Sequence, residues 1–397
     1  MTTWHRVRLD DCCEVVGGAT PDTSVGSYWN GDICWATPKD LSDLRGALIG
    51  DTPRKLTRAG LDSCAASILP PGSVLFSSRA PIGLVAINKV PMATNQGFKS
   101  LVPREDRVHS GFLYWWLRSN RPYLEGLGNG ATFKEVSKAV VSRIEIPLPP
   151  LCEQRRIADI LDRADALRAK RRASLAQLDT LAQSIFLEHF SQPDLPETTI
   201  GKLLASGDLL LHKDGNHGSL YPRPDDFDGT GIPFITAAAI TDDGQIDDAL
   251  IPNLKRDKAA KLRIGWISNG DVLLAHNASV GKVALYDGRF EEALIGTSLT
   301  AFRPNPKSLA SRYLEAALRS ERFQRQLKQN MSQTTRNQVP ITAQRGLRIP
   351  KPTLCLQTEF AAKADAVERL KTAHRTSLVE LDELFASLQH RAFRGEL

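Results

Sequence analysis

The chain has 397 residues, a formal net charge of +6 and a pI near 9.0. That length leaves room for two or three domains, each able to bury its own core, and the mild basicity leans toward a polyanionic partner without requiring one. No run approaches the roughly 18 apolar residues of a membrane span and residues 1–20 lack the apolar core of a signal peptide. The six cysteines form neither a Cys-x-x-Cys pair nor a zinc-spaced Cys/His set, so reduced thiols, no metal and a cytoplasmic location are expected.

Residues 1–146 are rich in Gly, Pro and β-forming residues, with short strands such as Ser73-Val74-Leu75-Phe76 and Gly83-Leu84-Val85-Ala86-Ile87. Pro147, Pro149 and Pro150 keep the chain extended before a helix over 152–190 that contains no Pro or Gly. A linker follows at 191–196, in Ser191-Gln192-Pro193-Asp194-Leu195-Pro196. The β-rich texture returns over 197–349. The last segment, 350–397, holds a second helix over 357–391.

The two helical segments are copies of each other. Pro147-Leu148-Pro149-Pro150-Leu151-Cys152-Glu153-Gln154 returns as Pro350-Lys351-Pro352-Thr353-Leu354-Cys355-Leu356-Gln357, and the match runs without a gap to Phe190 and Phe393. Sixteen of its 44 positions are identical, where composition alone gives about one in sixteen. The globular halves also correspond. Pro71-Gly72-Ser73-Val74-Leu75 parallels Asn269-Gly270-Asp271-Val272-Leu273, and Leu117-Arg118-Ser119 parallels Leu318-Arg319-Ser320. A period near 200 residues is too long for a solenoid, so the chain is a duplicated domain plus helix.

Spacing of three and four residues puts Ala164, Leu167, Leu178, Leu181 and Ile185 on one seam of the first helix, with Arg171 and Ser174 as its polar break. Val367, Leu370, Leu381, Leu384 and Leu388 form the matching seam of the second, broken by His374 and Ser377. Pairing of the two helices as an antiparallel coiled coil is favoured over separate packing on each half. A strut of about 35 residues at ~1.5 Å each spans roughly 50 Å. The fold class is therefore α+β, with pseudo-twofold duplication. Seven basic residues between Arg155 and Arg172 face four acidic ones between Glu153 and Asp165, which suits a protein surface as well as DNA.

Enzymatic signatures are missing. The Pro-Pro pairs lack the Asp/Asn-Pro-Pro-aromatic context of N6-adenine methyltransferases, and no Gly-rich loop for a methyl donor is present. Asn277-Ala278-Ser279-Val280-Gly281-Lys282 lacks the first Gly and the Ser/Thr of a P-loop. A methyltransferase or nuclease with divergent motifs, or a coiled-coil scaffold that does not bind DNA, are the alternative readings.

Gly17-Gly18-Ala19-Thr20-Pro21, the run Tyr28 to Leu41, Phe76 to Gly83, Thr94 to Lys99 and Ile146 to Ile157 together resemble the specificity subunits of type I restriction-modification enzymes. Asp214-Gly215-Asn216-His217-Gly218 and Gly231-Ile232-Pro233-Phe234-Ile235 fit the same pattern in the second half. The resemblance implies two target-recognition domains (1–146 and 197–349), each reading half of a bipartite site on double-stranded DNA. The helices of 147–190 and 350–397 would set the gap and dock two modification subunits. It also implies a non-catalytic chain that holds no cofactor. S-adenosylmethionine would sit in the modification subunits, and ATP with Mg in restriction subunits. The second helix opening, Leu356-Gln357-Thr358-Glu359-Phe360, departs from Glu153-Gln154-Arg155-Arg156-Ile157, so the two docking sites are expected to differ.

Base and phosphate readers must be polar residues on loops of a rigid scaffold. The candidates are Lys39, Arg79, Asn95, Gln96 and Lys134 in the first half. In the second they are Lys213, Asn216, His217, His276, Asn277, Arg336 and Asn337. Asn95 also suits a turn cap and His217 a structural loop residue, while Trp115-Trp116 reads as core rather than as a base-stacking platform.

Overall fold

The computed structural model describes residues 4–79, 81–129, 134–192, 195–331 and 337–397. The chain divides into two compact units, Met1–Arg171 with Ser377–Leu397, and Arg172–Thr376. Each unit contains one globular half and a portion of both long helices.

In the first unit a five-stranded sheet runs in the order Cys13–Gly17, Lys99–Pro103, Val74–Phe76, Val85–Asn88, Leu48–Ile49. A three-stranded sheet, Lys55–Leu56, Trp29–Ala36, Met92–Thr94, stands beside it. Within the helix Ser110–Ser119, residues 111–117 are buried on every side, which is why almost two turns of it carry no charge. Trp115 and Trp116 are buried there, in the core with Phe76, Leu101 and Leu161. The second unit repeats the plan with two four-stranded sheets. One is Leu209–Asp214, Leu299–Pro304, Val272–Ala275, Val283–Leu285. The other is Asn253–Leu254, Phe227–Ile235, Ala293–Ile295, Trp266–Ile267. Its counterpart of the aromatic helix is Ser311–Arg319. Among the described residues no helix is long and apolar enough to cross a membrane.

The long helices run Leu151–Phe190 and Leu354–Ala392. The second starts three residues earlier than its sequence suggests, since Pro352 is the last proline and the backbone turns helical directly after Thr353. This places both repeated glutamines in the first turn, fully buried. Gln154 accepts the His109 N–H on Oε1 (2.8 Å) and donates through Nε2 to the carbonyls of Arg107 (2.9 Å) and Pro149 (2.8 Å). Gln357 does the same with the Ala310 N–H (2.9 Å) and the carbonyls of Ser308 (3.3 Å) and Pro352 (2.9 Å). One side chain thus welds each long helix to its own globular half and satisfies a free N–H at the start of a shorter helix.

The helices pair antiparallel within each unit, with a correction to the seam. Ala164, Leu178 and Ile185 face inward, as do Val367, Leu381 and Leu388, but Leu167, Leu181, Leu370 and Leu384 do not. Leu167 and Leu370 are each 53% exposed. The inward positions between them are Arg168, Leu175 and Ala182 on the first helix and Lys371, Leu378 and Phe385 on the second, one residue later in each case. In the first unit the Arg168 guanidinium lies 4.2 Å above the Phe385 ring and donates to Asp382 at 2.5 Å. At the matching place in the second unit the Lys371 ammonium meets Asp179 at 2.7 Å and Glu368 at 3.2 Å, its side chain 4% exposed. Long aliphatic stems fill the seam, and their charged ends find carboxylates at its edge.

The register makes opposite demands on neighbouring residues. Leu167→Glu and Leu370→Glu should shift unfolding free energy by no more than about 0.5 kcal/mol, as solvent-facing changes do, whereas Phe385→Ala should cost about 3–5 kcal/mol. Chemical denaturation checks this, and equal losses at Leu167 and Phe385 would contradict the observed seam. Gln154→Ala should remove about 1–3 kcal/mol by stranding the His109 amide, read as faster hydrogen exchange there.

Candidate nucleic-acid interface

Five chain segments meet at one edge of the first globular half. The Asn95 N–H donates to the Ala36 carbonyl (3.0 Å), the Ala19 N–H to Thr94 (3.0 Å), the Ser78 N–H to Gly97 (2.8 Å) and the Val136 N–H to Ser78 (2.9 Å). Gly18 is required here, because a Cβ would collide with the Asn95 carbonyl oxygen. Residues 18–20, 36–39, 78–79, 95–97 and 134–136 therefore form one continuous rim.

Lys39 is exposed in the first turn of the helix Pro38–Ser42, whose start Thr37 and Asp40 cap reciprocally. Gln96 is exposed and accepts a hydrogen bond from the Thr20 hydroxyl. Lys134 is exposed next to Glu135. Arg79 is half-exposed, 4.0 Å from Glu135, which also receives Lys99 at 3.1 Å. Asn95 is the turn cap, its Oδ1 accepting the Gly97 N–H at 2.9 Å. The rim thus gathers all five first-half candidates and adds Thr20, Lys99 and Glu135. Lys99 closes the Thr94–Lys99 motif and was legible there; Glu135 carried no sequence signal.

The second half builds the corresponding rim from corresponding bonds. The Gly296 N–H donates to Ile235 (2.8 Å), the His276 N–H to Ser298 (3.0 Å) and the Val339 N–H to His276 (2.9 Å). Asn277 bridges to Gln338 where Arg79 bridges to Glu135. The side chains differ throughout. Lys213 and Asn337 are exposed, Asn277 is half-buried, and exposed His217 sits 2.7 Å from Asp214. A cavity of about 430 Å³ opens at this rim between Asn337, Ser279, Lys282 and Asp242. Arg336 lies outside the described residues.

Asn216 and His276, expected among the readers, are instead buried. The Asn216 amide donates to the Ile264 carbonyl and anchors the loop from below. His276 belongs to a buried chain of hydrogen bonds. His212 Nε2 donates to Gln344 Oε1 (3.0 Å), Gln344 Nε2 donates to Thr300 Oγ1 (3.0 Å), and the Thr300 hydroxyl donates to His276 Nδ1 (2.9 Å). Gln344 is oriented by its second bond, to the Val339 carbonyl (3.0 Å). Burial lowers the pKa of both imidazoles and holds them neutral.

Residues 1–177 match the family model of the type I restriction modification DNA specificity domain. The chain is 38% identical over 189 residues to the MjaIX specificity subunit of Methanocaldococcus jannaschii, a match covering 47% of the chain and 44% of that relative. The match thus spans less than half of that relative's length. To the EcoBI specificity subunit of Escherichia coli it is 22% identical over 340 residues, 77% of the chain and 70% of the relative. In fold, the chain is similar to the type I S subunit from M. genitalium, with a TM-score of 0.60 at 14% identity, covering 98% of this chain and 96% of that one. It is also similar to a chain from a structure concerning complex assembly and conformational transition of the type I R-M system, with a TM-score of 0.57 at 21% identity, covering 100% and 99%.

The buried histidines give the second unit a pH dependence whose sign follows from the direction of their shifts. Their folded pKa values lie below the ordinary 6.5, so the unfolded chain binds more protons as pH falls below about 6.5. Stability contributed by the network is therefore present above that value and lost as pH drops through it toward the folded values. NMR should find both imidazoles titrating below the ordinary 6.5, with amide protection at Thr300 declining as pH falls below that value. Imidazoles that titrate at their ordinary value would contradict the buried network.

Proposed function

We propose that the chain is the non-catalytic DNA-recognition subunit of a type I restriction-modification complex, working in the cytoplasm. The observation that carries this reading is the pair of equivalent rims. The same backbone bonds recur at Ser78/Val136 and His276/Val339, while the side chains they present differ. A duplicated scaffold with unlike readers suits a bipartite DNA site whose halves differ in sequence. Lys39, Arg79, Gln96 and Lys134 read or grip one half-site; Lys213, His217, Asn277 and Asn337 serve the other.

Leucines left out of the seam supply the second function. Leu167, Leu181, Leu370 and Leu384 are exposed at equivalent positions of the two helices, and exposed apolar side chains two heptads apart on one helix face suit helical partners. Two modification subunits dock there, bringing S-adenosylmethionine and the methyl-transfer chemistry. Restriction subunits, with ATP and Mg, complete the complex.

Three measurements test this. The purified chain alone should transfer no methyl group to DNA, and adding its modification subunit should give N6-adenine methylation; methylation by the chain alone would favour an enzyme with divergent motifs. Exchanging residues 1–146 for the matching domain of a relative should change one half of the methylated motif and leave the other. Arg79→Ala should cost about 1–3 kcal/mol of binding. If Arg79 grips phosphate the loss is uniform across sequences; if it reads guanine, one base position relaxes. No effect of any rim substitution on DNA affinity would favour the scaffold reading.

A further inference from the structure

The duplication provides an internal reference for packing, and at one place the second unit lacks what the first contains. The long helices correspond at a spacing of 203 residues, and the helices Ser110–Ser119 and Ser311–Arg319 at 201, fixed by the equivalent glutamine bonds to His109 and Ala310. By these spacings Trp115 corresponds to Ala316 and Phe385 to Ala182. In the first unit the two rings pack edge to face with centroids 5.5 Å apart, and the Trp115 indole N–H donates to Asp162 at 2.8 Å. In the second unit two alanines leave a cavity of about 500 Å³.

Its floor is aromatic. Phe186 and Phe360 meet edge to face at 5.6 Å beneath Ala182, Ala316 and Ala364. Its walls carry charge that is already compensated, with Lys371 on Asp179 at 2.7 Å and Arg312 on Glu315 at 2.6 Å. A charged ligand would have to break one of these pairs, whereas a neutral one need not. The volume lies within the ~300–1,000 Å³ of small-molecule pockets. Apolar flooring with satisfied polar walls offers little to hold ordered water, which needs two to four polar partners.

We infer that this cavity is a binding site for a neutral, indole-sized aromatic compound, which would occupy the space that Trp115 and Phe385 fill in the first unit. Small-molecule binding in this cavity is independent of DNA reading at the rims.

Indole is the probe, titrated into the full chain. It should bind saturably at one site per chain and raise the melting temperature. Ala182→Phe and Ala316→Trp, which install the first unit's own residues, should each weaken that binding at least tenfold. Because an overfilled variant can misfold, the unaltered chain gives a second reading: indole protons should show NOEs to the Phe186 and Phe360 rings. Absence of saturable binding at millimolar indole, binding unchanged in both folded variants, or NOEs to other residues would each overturn the assignment.

Discussion

Everything else in this molecule hangs on two buried glutamine side chains. Each presents one acceptor and one amino group, and each uses both against backbone of its own globular half and of the entry to its own long helix. A bond made to backbone is indifferent to the side chains around it, so the same residue works in both copies although the neighbouring sequences differ. The fixed joint between long helix and globular half is the condition for a rim on that half to have a defined orientation to its helix. Unpaired, a buried amide would cost more than the bonds contribute, which is why the joint is specific as well as strong.

Much of this architecture was legible in the sequence because duplication is legible. Identical residues at one spacing need no propensity argument, and the absence of Pro and Gly over forty positions leaves little but a helix. At the Leu167, Leu181, Leu370 and Leu384 steps the seam lies one residue later than apolar spacing puts it, for a physical reason. Apolar type favours Leu167 over Arg168 and Leu370 over Lys371, yet burial selects volume and a partner for the charged end. Arg168 has Phe385 beneath it and Asp382 at its tip; Lys371 has Asp179 and Glu368. A hydrophobic scan cannot see a cation whose counter-charge lies on another helix.

The rims show the matching limit at the candidate site. Loop polarity pointed to the right segments, since backbone bonds draw residues 18–20, 36–39, 78–79, 95–97 and 134–136 together. It could not say which side chains face out. Asn95 caps its own turn, Asn216 holds Ile264 from inside, and His276 ends a buried chain through Thr300 and Gln344. Polar residues next to tight glycines are recruited to fix the loop as readily as to read a ligand. Glu135, which organises Arg79 and Lys99, gave no signal because its partners are 56 and 36 residues away.

Divergence between the copies then acquires a direction. Where the backbone carries the interaction, as at the glutamine joints and the rim bonds, the copies agree. Several positions where side chains alone are involved have separated, Arg79 against Asn277, Trp115 against Ala316 and Phe385 against Ala182, while the cation on a carboxylate of the other long helix is kept at Arg168 and Lys371. Asp162 and Asp365 show both tendencies at one position, since the carboxylate is kept while its donor changes from the Trp115 indole to the Arg312 guanidinium. The helix openings follow suit. Arg156 pairs with Glu153 at 3.0 Å on the first, whereas Glu359 pairs with Lys363 at 2.9 Å on the second. The two helix surfaces thus present equivalent exposed leucines beside different charge. A scaffold fixed by main-chain bonds lets its two faces and its two rims change independently while the frame that presents them stays the same.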